Sequence, residues 1–224
     1  QVAFNVATFR NAGGYDPTLF GPESFDLVLR ALLMGARFAY CHEAGYRMYA
    51  YAGSVSRDID RQRCAVKTTL RKHPYAIVRE QCNTAAYPRS VTAWILASMA
   101  MYRDDPVAAI EFIDQACSSN VALDLVLEPD GPCPMPERWR RAFMRGTALL
   151  ALQRADEAAL EELNIADRLI STAETANNLG VALRRLKQPE RASKCFLRAL
   201  ACYPGYRDAI INLKNPEQAL VTTH

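Results

Sequence analysis

The chain has no long run of one charge. Its 27 basic and 24 acidic residues are interspersed and leave a net charge of +3, so neither nucleic-acid nor membrane-surface binding can rest on bulk charge. No window reaches the unbroken apolar length of a bilayer span. The first residues carry neither the basic start nor the apolar stretch of a signal peptide. The seven cysteines, at 41, 64, 82, 117, 133, 195 and 202, are odd in number, irregular in spacing and without a CxxC pair. That pattern excludes a secreted disulfide framework and points to a reducing cytoplasm. An initiating methionine is also missing: Gln1 opens the chain in mid-pattern, and the expectation is a piece of a longer protein whose amino-terminal part is absent.

What is present is apolar content, half of all residues, enough for a sizeable core. Residues 2–9, VAFNVATF, alternate like a strand; NAGGYDP is a turn; residues 25–34 are apolar at helical spacing; and 37–41 read as a second strand. From residue 58 onward almost every segment is rich in Ala and Leu, with charges at helical spacing and few β-branched runs. A proline-containing stretch at 83–89 marks a boundary, and 118–137 is a long connection with four prolines.

Repetition organises the second half. Gly146 and Gly180 are 34 apart, Ala158 and Ala192 are 34 apart, and Asn178-Leu179 recurs as Asn212-Leu213 at the same offset. A glycine inside a helix costs about 1 kcal/mol against alanine, so Gly180 makes sense where another backbone or ring comes close. Ala176, Leu179, Gly180 and Leu183 form one stripe, and Ala192, Phe196 and Ala199 form a second on the next helix, which Pro204 stops. In period and pattern the stretch ETANNLGVALRRLKQPERASKCFLRALACYPGY resembles the tetratricopeptide repeat, a helix-turn-helix unit. Residues 145–163 form a fair second copy and 93–116 a weaker one.

The first segment has a different likeness. Gly13-Gly14-Tyr15-Asp16, Gly21, Glu23, Asp26-Leu27, Leu29-Arg30, Gly35-Ala36-Arg37-Phe38, Tyr46-Arg47 and Gly53-Ser54-Val55-Ser56-Arg57 follow in an order that resembles the carboxy-terminal half of family 2 glycosyltransferases. These are inverting enzymes of the GT-A fold. The resemblance covers about a quarter of the chain. It implies a bacterial-type parent protein that transfers a sugar from a nucleotide-sugar donor to a glycan, lipid or protein acceptor, with a divalent metal, Mg or Mn, on the donor pyrophosphate. The aspartate-rich metal motif belongs to the half that is absent, so no metal ligand and no cofactor is assigned within this chain.

In that setting Glu23 and Asp26 are the candidate catalytic residues. An inverting transfer needs a carboxylate to take the acceptor's proton, and a helix amino terminus favours negative charge. Glu23, Ser24 and Asp26 are equally good first-turn residues that would start a helix without chemistry. Two departures from the family pattern stand out: Ser24 replaces the aspartate of the usual Glu-Asp pair, and Tyr51 stands where a metal-holding histidine is common. Either Glu23 or Asp26 has taken over as base, or activity has been lost.

The expected fold class is therefore an α/β remnant, a partial GT-A domain at 1–57, then a connecting helix and linker at 58–89, then all-α repeats resembling the tetratricopeptide family at 90–217, with helix predominant overall. Asn177, Val181 and Arg184 share the face beside the packing stripe. In the repeat family that face lines a concave groove for an extended peptide or a helix, with no nucleic acid and no transmembrane segment among the partners. The alternative is that this terminal copy only covers the end of the stack. At the level of the whole chain, the competing reading is a non-catalytic scaffold that carries a degenerate transferase remnant. Cys41 and His42 are adjacent on an extended stretch and point to opposite faces, which fits burial of Cys41 rather than a shared metal. His73 before Pro74 reads as a solvated helix end, and the basic stretch 57–73 as a solvated face.

Overall fold

A computed structural model describes residues 3–19, 22–37, 59–117, 137–153, 155–217 and 219–222. The chain forms two compact units, 1–86 and 87–224. Among the described residues every regular element is a helix, and no helix is long and apolar enough to cross a membrane.

The first unit holds α1 (Val6–Asn11), α2 (Glu23–Leu33), α3 (Ile59–Arg71) and α4 (Tyr75–Thr84). The strand expected over 2–9 is corrected here: this stretch contains α1. Asn5 adopts extended backbone and its side chain accepts the Ala7 N–H at 2.8 Å, an N-cap that starts a helix. Alternation is overridden because Phe9 packs edge-on to both Phe4 and Tyr15, with ring centroids 6.4 and 5.4 Å away. The strand expected over 37–41, Cys41-His42 and Tyr51 lie outside the described residues. Leu27 and Ala31 of α2 are fully buried and form a small core with Ala12, Phe4, Phe9 and Ala36.

The second unit is built from three helical hairpins and a further helix. The pairs are α5 (Arg89–Tyr102) with α6 (Pro106–Cys117), α7 (Glu137–Leu152) with α8 (Asp156–Leu169), and α9 (Ala173–Arg185) with α10 (Pro189–Cys202), followed by α11 (Arg207–Lys214). Each second helix also packs on the first helix of the next pair, and α9 touches both α7 and α11, which is the stacking of a repeat array.

One buried pattern recurs in the three hairpins. A small residue on the first helix, Ala97, Gly146 or Gly180, faces an alanine on the second, Ala109, Ala159 or Ala192; four residues on comes Ile113, Leu163 or Phe196, and three further Ala116, Ala166 or Ala199. A Cβ on Gly180 would lie 2.5–2.8 Å from three ring atoms of Phe196, and one on Gly146 would lie 2.8 Å from Leu163 Cγ and 3.2 Å from the Ala159 carbonyl. The close approach that the glycines imply is therefore made by the second helix's large side chain. Ala158, paired with Ala192 by its 34-residue offset, is exposed; its neighbour Ala159 takes the packing position. The α7–α8 turn holds one more residue than the other two turns, which puts the equivalent alanine 33 residues before Ala192.

Each hairpin turns on a residue with positive φ: Asp104 (54°), Gln153 (56°) and Lys187 (59°), seven residues after Ala97, Gly146 and Gly180. At Lys187 the following Gln188 N–H reaches back to the Leu183 carbonyl at 2.9 Å, closing the helix end. A left-handed conformation costs a side-chain-bearing residue roughly 1–2 kcal/mol, which glycine avoids. Lys187→Gly is expected to raise stability by about 1 kcal/mol in urea unfolding, whereas Leu197→Gly, on the exposed face of α10, is expected to lower it by about the same amount.

Candidate functional site

The repeat unit carries a polar site in which the segment 219–222 lies across α9 and α11. Asn212 Oδ1 accepts the Leu220 N–H at 2.8 Å while its Nδ2 donates to the Leu220 carbonyl at 3.0 Å. Asn178 treats Thr222 in the same way: Oδ1 accepts its N–H at 2.8 Å and Nδ2 donates to its carbonyl at 2.8 Å. The asparagines are 34 residues apart, at one repeat position, and they hold residues two apart in the segment. Only an extended main chain presents alternate residues to one row of side chains.

The amides are themselves positioned. Asn178 Nδ2 also donates to Thr147 Oγ1 on α7 at 3.0 Å, and Asn212 Nδ2 donates to Asn177 Oδ1 at 2.9 Å. Asn177 Nδ2 donates to the Leu220 carbonyl at 3.0 Å. Asn177, Asn178, Asn212 and Thr147 are all fully buried, so each amide works where a missing partner would be costly.

Of the groove residues expected from sequence, Asn177 thus contacts the segment's backbone. Val181 is fully buried beside it. Arg184 donates from Nη2 to the Asn212 carbonyl at 2.6 Å and lies 4.6 Å over the Phe196 ring, holding α11 and α10 to α9. Burial lowers its pKa from the ordinary arginine value. Sequence reasoning missed Asn178, Asn212, Asp208, Tyr206 and Thr222 as site residues. The recurrence of Asn178-Leu179 as Asn212-Leu213 was the available signal, read as a mark of repetition alone.

Glu23 and Asp26 stand in the first turn of α2 with different surroundings. Glu23 is half-buried. Asp26 is 1% exposed, and its Oδ2 accepts from Arg30 Nε at 2.8 Å. Arg30 in turn donates to the Ala12 carbonyl, and at 2.7 Å to the Gly14 carbonyl. Gly13 and Gly14 adopt φ of 82° and 67°, which turn these carbonyls toward the guanidinium. Asp26 therefore orients the arginine that fastens the GGYDP turn. The expectation of His73 as a solvated end is corrected: it does follow a helix, but it is buried, with Nε2 3.7 Å from Asp26 Oδ1. Nor is the basic stretch 57–73 wholly a solvated face, since Lys72 pairs with Asp16. The Lys72 hydrogen bond, with further hydrogen bonds from Thr18, holds the Asp16 carboxyl below the usual carboxylate range.

Residues 173–206, spanning α9, α10 and the turn before α11, match the family model for the tetratricopeptide repeat. No curated protein matches the chain.

Proposed function

We propose that the chain is an interaction module whose repeat unit holds an extended polypeptide against α9 and α11, reading its main chain. The observation that carries this is the double hydrogen bond made by each of Asn178 and Asn212 to one residue of the segment 219–222. A plug that merely covered the end of the stack would be expected to bury its side chains. Here Ala219, Leu220 and Val221 are only half-buried while the main chain at 220 and 222 is fully engaged. The tetratricopeptide match over the same helices supports the reading.

The test uses the full chain with Leu220→Pro and Thr222→Pro, which removes the two N–H groups that the asparagines accept and vacates the site. A labelled peptide with the sequence of residues 216–222 is then added and followed by fluorescence anisotropy. Saturable binding is expected, weakened about tenfold or more by Asn212→Ala, since each hydrogen bond lost at a buried amide costs about 1–3 kcal/mol. Binding that is absent, or indifferent to Asn212→Ala, would overturn the proposal.

The transferase reading of 1–57 rests on the resemblance of its residues alone. The nucleotide-sugar donor, the acceptor and the divalent metal belong to that reading, and the ion pair of Asp26 with Arg30 gives this carboxylate a structural task.

A further inference from the structure

We infer that the site selects an unmodified threonine or serine at the position held by Thr222, an inference that rests on the groove reading above. Thr222 is the one residue of its segment whose side chain is buried, at 1% exposure. Its hydroxyl donates to Asp208 Oδ2 at 2.8 Å. The same oxygen lies 2.5 Å from the Tyr206 hydroxyl and 3.3 Å from Asn177 Nδ2. A hydroxyl has one hydrogen to give and two lone pairs to receive with. With its hydrogen committed to the Asp208 carboxylate, the Tyr206 O–H and the Asn177 N–H fill both lone pairs, so the hydroxyl's hydrogen-bonding capacity is fully used.

Three residues from two helices and the turn before α11 thus converge on one oxygen, and all three are set by the repeat unit itself. Valine has the shape of threonine but would remove the three hydrogen bonds together and leave the buried Asp208 facing a methyl group. A phosphorylated residue would bring two negative charges against Asp208 in a space that holds a bare hydroxyl. Serine keeps the oxygen and loses only a methyl. The side chains of 219–221 are half exposed and carry little selection. The partner is accordingly an extended peptide whose one buried side chain is a free β-hydroxyl.

The experiment employs the same Leu220→Pro/Thr222→Pro chain and four peptides with the sequence of residues 216–222, ending in threonine, serine, valine or phosphothreonine. The threonine peptide is expected to bind, the serine peptide within a few-fold of it, the valine peptide at least tenfold more weakly, and the phosphothreonine peptide not at all. Asp208→Asn in the chain is expected to narrow the gap between threonine and valine. Equal binding of the threonine and valine peptides, or binding of the phosphorylated one, would sink the selection while leaving the main-chain reading intact. Failure of all four to bind would bring down the groove reading with it.

Discussion

Phe196→Ala is expected to cost about 3–5 kcal/mol, the range for deleting a large buried aromatic side chain, and Gly180→Ala about 2 kcal/mol. Phe196 is fully buried, its ring fills the space that a Cβ on Gly180 would enter at 2.5–2.8 Å, and Arg184 lies over it. Alanine gains about 1 kcal/mol in helix propensity over glycine, but overpacking a ring that cannot retreat costs up to about 3 kcal/mol. The pair should be strongly coupled: Phe196→Leu in the Gly180→Ala background recovers part of the loss, because the smaller side chain makes room for the methyl. Urea unfolding of the four chains measures this. Additive effects would mean that the glycine and the ring do not share that space.

The second large effect lies in the first unit. Asp26→Ala is expected to cost about 3 kcal/mol, the lower part of the range for breaking a buried ion pair, since Arg30 retains 26% side-chain exposure and can reach water. Glu23→Gln should change stability by no more than about 0.5 kcal/mol. Amide hydrogen exchange at Gly13 and Gly14 locates the loss: both N–H groups close the end of α1, on carbonyls of Arg10 and Phe9, and should lose protection in the Asp26 variant. Protection that survives Asp26→Ala would separate the carboxylate from the turn.

The repeat unit was legible because its determinants are local. Glycine at a close contact, alanines opposite it and a large apolar residue one turn on leave a periodic trace, and this trace placed Gly146, Gly180 and Phe196 correctly. The Ala158 pairing failed for a reason no period reveals: one additional residue beyond Gln153 shifts the following helix, and the eye takes the alanine at the expected offset when its neighbour does the packing. The stretch 2–9 failed because alternation in so short a run is weak evidence against an asparagine cap and three aromatic rings that gather only in three dimensions. The site was partly hidden in the same way. Asn177 was found from its place on a helix face, but its partners Leu220 and Thr222 lie more than 40 residues further along, and nothing in the segment ALVT announces that its backbone is held. Asp26 looked like a reactive acid because its neighbours in sequence suggested one. Its role is set by Arg30 and by two carbonyls of a distant turn.

The asparagine position is not filled in every repeat. Thirty-four residues before Asn178 stands Met144, which has no amide, so the ladder has two rungs. Two rungs grip only a few residues, and any free ligand contends with a strand tethered to the same array. A short flexible tether maintains an effective concentration on the order of millimolar, so a dilute competitor succeeds only by gripping more firmly than 219–222 does or by arriving when that strand is restrained elsewhere. Affinity measured on the untouched chain will therefore understate the intrinsic strength of the ladder, and the shortfall gauges how tightly the chain holds its own strand.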